Sequence, residues 1–261
     1  METQYALEVR TIQSTPFKVL IEALKELLTD VSIEFDDTGM KIITMDNTRT
    51  VLVHLKLDAS KFEYYQCKTK TNIGVNMLNM YKLIRCINNN DILTLFVEEN
   101  DMNHLGIRIE NCEKNTKTVY KLNLLDLDDR KISIDPEEFY SVITLPSVDF
   151  QKICRDMNNI ADYVEIKNIS NQLILSCQGD FCNQETIISD SDSGNVIVNK
   201  NTNEILQGIF NLKFLVTFTK CTNLSSMAEI YLKNDYPLLI KYAVASLGEI
   251  KLALAPTDRC E

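Results

Sequence analysis

The stretch Pro16–Asp46, PFKVLIEALKELLTDVSIEFDDTGMKIITMD, and the stretch Asp149–Gly179, DFQKICRDMNNIADYVEIKNISNQLILSCQG, carry one pattern at a constant offset of 133 residues. Phe17, Leu20, Leu24, Leu27, Val31, Ile33, Met40 and Ile42 fall on Phe150, Ile153, Met157, Ile160, Val164, Ile166, Leu173 and Leu175. The spacing is first helical, with apolar residues every three or four positions, and then strand-like, with apolar residues every second position. Each stretch therefore reads as helix, strand, turn, strand. Thr15 is placed to cap the first helix, with Pro16 at a position where a missing N–H costs nothing. The third helix begins near Ser147.

A second match, at offset 135, sets Val75, Asn76, Tyr81, Leu83, Arg85, Cys86 and Leu95 against Phe210, Asn211, Val216, Phe218, Lys220, Cys221 and Ile230. It adds another helix and strand to each copy. A repeat of this length is a domain with its own core, not one turn of a solenoid. The other segments alternate apolar and polar residues as strands do: Tyr5–Arg10, Val51–Leu57, Ile92–Val97, Leu105–Ile109 and Val119–Leu124 in the first copy, and Gln172–Ser176, Glu185–Ser189, Ala228–Leu232, Leu238–Val244 and Glu249–Leu254 in the second. The expectation is two copies of one α+β domain, residues 1–123 and 140–261, with strands outnumbering helices about two to one. The stretch 124–139 is too charged for a core and reads as an exposed connector, yet it keeps Leu125, Leu127, Ile132 and Ile134. Large aliphatics on a solvated linker suggest a surface that a partner covers.

The 261 residues carry a net charge of −10, which speaks against binding nucleic acid by bulk attraction. Any DNA contact must be local. The helices offer such a place: Lys18 and Lys25 on the first, Lys82 and Arg85 on the second, Lys152 and Arg155 on the third, Lys213 and Lys220 on the fourth. Exposed helix faces are normally charged, so one such pair means little, but four in repeat-related helices fit a shared surface facing phosphates. No helix clusters the Arg, Asn and Gln that read base edges, so contact would follow DNA shape and charge alone.

No apolar run reaches the roughly 20 residues of a membrane span, and Met1–Arg10 alternates where a leader would be continuously apolar. The chain is expected to stay inside the cell. Its eight cysteines include no C-x-x-C pair, and reduced thiols packed as small apolar groups are expected. Neither a nucleophile with a base, nor a phosphate-cradling glycine loop, nor a metal-ligand spacing stands out; Asp126, Asp128 and Asp129 lack the glycine and distal Glu of a calcium loop. No enzymatic activity, cofactor or metal is expected.

Short strings complete the reading: LIEALKEL at 20–27, VLVHLKL at 51–57, Gly74-Val75-Asn76 leading to Met80, Lys82 and Cys86, LDLD at 125–128, ICRD at 153–156, Thr219-Lys220, and LAP at 254–256. In this order and spacing the chain resembles the proliferating cell nuclear antigen family of DNA sliding clamps over essentially its whole length. The resemblance implies the DNA clamp fold: two topologically similar domains of antiparallel sheet with two helices each, assembling as a closed homotrimeric ring with helices lining the hole. The eight helix cations would then face double-stranded DNA without reading sequence. Ring closure would pair 114–121 of one subunit with 184–190 of the next, with Cys86, Tyr120, Cys154, Met157, Ile160 and Ile187 at the subunit interface. Client peptides of DNA polymerase, the clamp loader and other replication or repair proteins would sit on Met45, Leu52, Ile132, Ile134, Pro237, Ala253, Ala255 and Pro256. Nuclear residence, or a cytoplasmic replication site for a viral member, follows from the family alone. Three positions depart from the family pattern: Ala253 replaces an aromatic, Asp135 a proline, and Ser170 a modifiable lysine, to which Lys167 is the nearest alternative. A subunit of a heterotrimeric checkpoint-type clamp is the other reading of the same fold.

Overall fold

The computed structural model describes residues 4–46, 48–127, 132, 139, 141–169, 172–189, 196–199 and 205–257. The first half runs β1 (Tyr5–Thr11), α1 (Ser14–Leu27), β2 (Asp30–Asp36), β3 (Gly39–Met45), β4 (Val51–Asp58), β5 (Tyr64–Cys67), β6 (Thr71–Asn76), α2 (Met77–Ile84), β7 (Ile92–Glu98), β8 (Asp101–Asn111) and β9 (Thr116–Asn123). The second half runs β10 (Ser141–Pro146), α3 (Ser147–Asn158), β11 (Tyr163–Ile169), β12 (Gln172–Gln178), β13 (Asn183–Ser189), β14 (Val196–Asn199), β15 (Leu206–Asn211), α4 (Leu212–Phe218), β16 (Met227–Leu232), β17 (Leu238–Val244) and β18 (Gly248–Leu254). The order of elements is the same in both halves: strand, helix, five strands, helix, three strands. Among the described residues strands outnumber α-helices by more than four to one, because β5, β6, β10, β14 and β15, of four to six residues each, are too short to announce themselves.

Two compact units result, one of Met1–Thr44, His54–Ile132 and Val244–Ile250, the other of Met45–Val53, Ser133–Ala243 and Lys251–Glu261. In the first unit a five-stranded sheet runs β5-β1-β7-β8-β9, antiparallel throughout, with Val9 opposite Leu95 and Ile107 opposite Tyr120. Separately, β2 pairs with β3 and β6. Phe17, Leu20, Ile21 and Leu24 form the stripe that α1 buries. Each such side chain stabilises the fold by about 1.5–3 kcal/mol relative to exposure. In the second unit a four-stranded sheet runs β13-β12-β11-β15, while β10 pairs with β14 and β16, and β16 with β17. The repeat-related residues Phe17 and Phe150, Val31 and Val164, Ile33 and Ile166, Met40 and Leu173, and Ile42 and Leu175 are buried in their respective units. The repeat is thus a repeat of cores.

The start of α1 differs from expectation. Ser14 is already helical, Gln13 precedes it without a side-chain cap, and Ser14 Oγ donates to the buried Asp91 carbonyl at 2.6 Å. The Ser14 hydroxyl is a donor here and caps no backbone N–H; it ties the helix start to a distant segment, and the cap expected from Thr15 is not made. Thr15 instead faces Asn89, at 3.2 Å.

The β2–β3 hairpin turns on Asp36. Its Oδ1 accepts from Thr38 N at 2.8 Å and Gly39 N at 3.1 Å, and its Oδ2 accepts from Lys41 Nζ at 2.6 Å. Gly39 has φ +144°, and a Cβ there would lie 2.0 Å from the Leu57 carbonyl oxygen, so the turn requires glycine. Burial alone would raise the Asp36 pKa, but the bonds from Lys41 and Thr38 outweigh it and hold the carboxyl well below its usual range. A carboxylate with a depressed folded pKa contributes stability above its unfolded pKa of about 4 and loses it as pH falls toward the folded value. Asp36→Asn is therefore expected to cost about 1–3 kcal/mol at neutral pH in urea denaturation, with the difference from wild type shrinking below about pH 4. A difference that is flat with pH would contradict the charge assignment.

Candidate nucleic-acid and partner interfaces

In the first unit α1 packs beside α2. Tyr81 Oη donates to Glu22 Oε1 at 3.2 Å, and Lys25 Nζ lies 4.6 Å from the Tyr81 ring centroid and 2.5 Å from Glu26 Oε1. The Glu26 hydrogen bond is the main cause of a raised Lys25 pKa, so Lys25 is charged but partly satisfied. Lys18 Nζ donates to the Ile87 carbonyl at 2.7 Å, tying α1 to the chain leaving α2. Lys82 and Arg85 are exposed and have no ion pair among the described residues. Of the four cations expected here, two hold the helix pair together and two face solvent freely.

The second unit repeats the tether with a neutral residue: Gln151 Nε2, at the position of Lys18, donates to the Thr219 carbonyl at 2.8 Å just after α4. Lys152, Arg155, Lys213 and Lys220 are all exposed, with no ion pair among the described residues. Lys220 lies beyond α4, in a 3-10 turn Thr219–Asn223, and not on the helix itself. The six exposed cations sit on, or directly after, helices whose other faces are core, a geometry suited to loose contact with a polyanion.

The two strands expected to close a ring are sheet edges. β9 ends the five-stranded sheet and β13 ends the four-stranded one. Val119 on β9 is 47% exposed and Ile187 on β13 is 53% exposed. Tyr120 Oη lies 3.8 Å from Cys86 Sγ, so β9 and the chain leaving α2 share that part of the unit's surface. Cys154 and Met157 must be moved from the surface to the core. At 1% and 0% exposure they lie inside their unit and can only support neighbours such as the half-buried Ile160. Burial pushes the Cys221 thiol up to about 12 and raises Cys154 further, so both act as small apolar groups. Sequence reasoning missed Phe181, which stands 75% exposed in the turn before β13. A large aromatic between Asp180 and Cys182 in a turn was the available signal.

Other edges are short or closed. β5 and β14 have only four residues each. On the free side of β15, Asn234 Oδ1 accepts from Gln207 N at 2.8 Å while Asn234 Nδ2 donates to the Ile205 carbonyl at 3.0 Å, and Thr257 N bonds the Ile209 carbonyl at 2.8 Å. One side-chain amide and one tail amide thus stand in for a neighbouring strand.

The residues expected to hold client peptides belong mostly to the second unit. Met45 is 42% exposed, Leu52, Pro237, Ala253 and Ala255 are half-buried, and Pro256 is exposed. Ala255 N donates to the Thr50 carbonyl at 3.0 Å, and Asp46 Oδ1 accepts from Thr50 N and Val51 N at 2.8 Å each, which fixes the turn after β3. Beside Pro256 opens a cleft of about 560 Å³, lined also by Glu165, Gln207, Ile209, Asn234, Asp235 and Tyr236. Its polar wall was not legible from the apolar pattern. Ile132 is half-buried and belongs to the other unit; Ile134, Asp135 and Ser170 lie outside the described residues.

No helix among the described residues is long and apolar enough to cross a membrane. Residues 6–131 match the family model for the N-terminal domain of proliferating cell nuclear antigen, and residues 133–257 match that for its C-terminal domain. The chain is 39% identical over 252 residues to the probable DNA polymerase sliding clamp 1 of Paramecium bursaria Chlorella virus 1, covering 95% of each protein. With two domain models in sequence order and a relative aligned along nearly its whole length, the chain belongs to the proliferating cell nuclear antigen family of DNA sliding clamps.

Proposed function

We propose that three copies of this chain close head to tail into a ring around duplex DNA and hold DNA polymerase and other replication and repair proteins to it, without catalysing a reaction. The observation that carries this reading is the treatment of sheet edges. β5 is short and β15 is capped, whereas β9 and β13, of eight and seven residues, offer exposed backbone with apolar side chains beside it. Long open edges are a hazard that soluble proteins blunt unless they are used. Two different edges joining from copy to copy make a heterologous contact, which closes into a ring when the rotation permits. Residues 1–123 and 140–261 are the two clamp domains of this reading, and 124–139 is the connector between them.

The cations support the DNA part. Lys82, Arg85, Lys152, Arg155, Lys213 and Lys220 would meet phosphates loosely, with Lys18 and Lys25 behind them as charged tethers. Each phosphate contact steepens the salt dependence of binding by about 0.9 in log–log slope, so a ring that must slide is better served by few and weak contacts, with retention coming from topology. A net charge of −10 fits that division of labour. Met45, Leu52, Ile132, Ile134, Pro237, Ala253, Ala255 and Pro256 would receive apolar and aromatic anchors of client peptides, including those of the clamp loader. The site of action follows the genome served: the nucleus, or a cytoplasmic replication site for a virus.

Topological retention gives the test. Clamp loaded onto a nicked circular plasmid is expected to survive a high-salt wash and to leave when the plasmid is cut; loss from the intact circle at high salt would overturn encirclement. Replacing Lys82, Arg155 and Lys220 by Ala is expected to leave the solution mass unchanged and to lower polymerase stimulation on loaded DNA. Stimulation equal to wild type would remove these helices from the DNA-facing surface. Met45→Asp, at a side chain exposed enough to tolerate charge, should weaken binding of a polymerase C-terminal peptide at least about tenfold, since an unpaired carboxylate would be covered. Calorimetry at wild-type affinity would reject Met45 as part of the pocket.

A further inference from the structure

The chain leaving β9 does not go straight into solvent. Leu124 N donates to the Asn103 carbonyl at 3.0 Å, and Leu125 N donates to the Gly74 carbonyl at 2.8 Å, making an antiparallel bridge between Leu125 and the buried middle of β6. The approach is possible because residue 74 has no side chain. A Cβ on Gly74 would lie 2.1 Å from the Leu125 carbonyl oxygen, 3.0 Å from its carbon and 3.1 Å from Leu127 Cγ. Backbone atoms cannot yield as a flexible side chain can, so any other residue would have to lift 125–127 off the strand. The Leu125 backbone and the Leu127 side chain, at the start of the connector, are thus engaged with their own unit, while the Leu125 side chain stays exposed.

The repeat shows what the glycine adds. Ile209 on β15 stands at the position of Gly74, and the segment after β18 makes the same bond, Thr257 N to the Ile209 carbonyl at 2.8 Å. One hydrogen bond suffices to lay the departing chain along the strand. Only in the first unit is the side chain missing, so that the carbonyl of the departing segment rests directly on the strand.

We propose that Gly74 is a positioning residue for client binding: by seating Leu125–Leu127 on β6 it fixes the point from which the connector departs. This inference rests on the client-peptide reading above. With the anchor in place, residues 125–127 are already ordered when a client peptide binds; without it, these three residues must be ordered on binding. The added loop length alone weakens binding less than about twofold. Re-ordering the released residues adds to this and brings the expected loss to about tenfold or more.

The test uses the full-length assembled protein, Gly74→Ala, and Leu125→Pro, which deletes the amide donor without altering β6. Both variants are expected to keep the wild-type solution mass and cooperative melting, to lose hydrogen-exchange protection at or next to residue 125, and to bind a polymerase C-terminal peptide about tenfold more weakly by calorimetry. Should Gly74→Ala fail to fold, Leu125→Pro decides alone. Lost protection with wild-type affinity overturns the proposal, and so does a Gly74→Ala protein in which the Leu125 amide stays protected. If wild type itself does not bind the peptide, the client reading fails and the inference falls with it. The exchange data would still report whether the anchor exists.

Discussion

Every strand at a sheet margin carries backbone donors and acceptors that something must satisfy, and the plan of this protein follows from how it meets that requirement. On β15 a single asparagine amide and the tail amide of Thr257 do so. On β6 the start of the connector does so, through Leu125. β5 and β14, of four residues each, are too short to matter. What remains is β9 in one unit and β13 in the other, two long edges with Val119 and Ile187 exposed on them. A protein that caps or shortens its other margins and leaves these two open keeps them, on the proposed reading, for other copies of itself. The acidic balance of the chain and the few free cations then make sense together, because a closed ring holds DNA without having to bind it tightly.

The helices show how the same constraint works at the scale of side chains. The two helices of a unit must be held side by side while one face stays available to solvent. Lys18 and Gln151 do this at the same repeat position, each giving a hydrogen to a carbonyl just past the second helix. That one is charged and the other neutral shows that the tether, not the charge, is what the position needs. Lys25, stacked on Tyr81 and paired with Glu26, is a second such fixture.

Much of this was legible because it rests on periodicity. The offset of 133 residues placed α1, β2 and β3 over α3, β11 and β12, since buried faces repeat in sequence whenever cores repeat in space. What depended on single tertiary contacts was not legible. Ser14 ties the start of α1 to the distant Asp91 carbonyl, which a rule based on local caps, choosing Thr15, does not record. Cys154 and Met157 lie on the inner side of α3, which a resemblance cannot resolve to the residue. Asn234 caps β15 from 27 residues away, and nothing in its neighbourhood signals it. The aliphatics of the connector were read as a surface, but the Leu125 backbone and the Leu127 side chain lie against Gly74, a pairing across 51 residues that no local pattern records.

The claim on which the rest depends is that β9 and β13 join copies of this chain to one another, and the mass of the purified protein in solution tests it most directly. Light scattering over a dilution series should give three chains per particle, with dissociation, where it occurs, passing from trimer to smaller species in a concentration-dependent way. A stable monomer at every concentration, in the absence of any other chain, would contradict self-closure and return the open edges to a different partner.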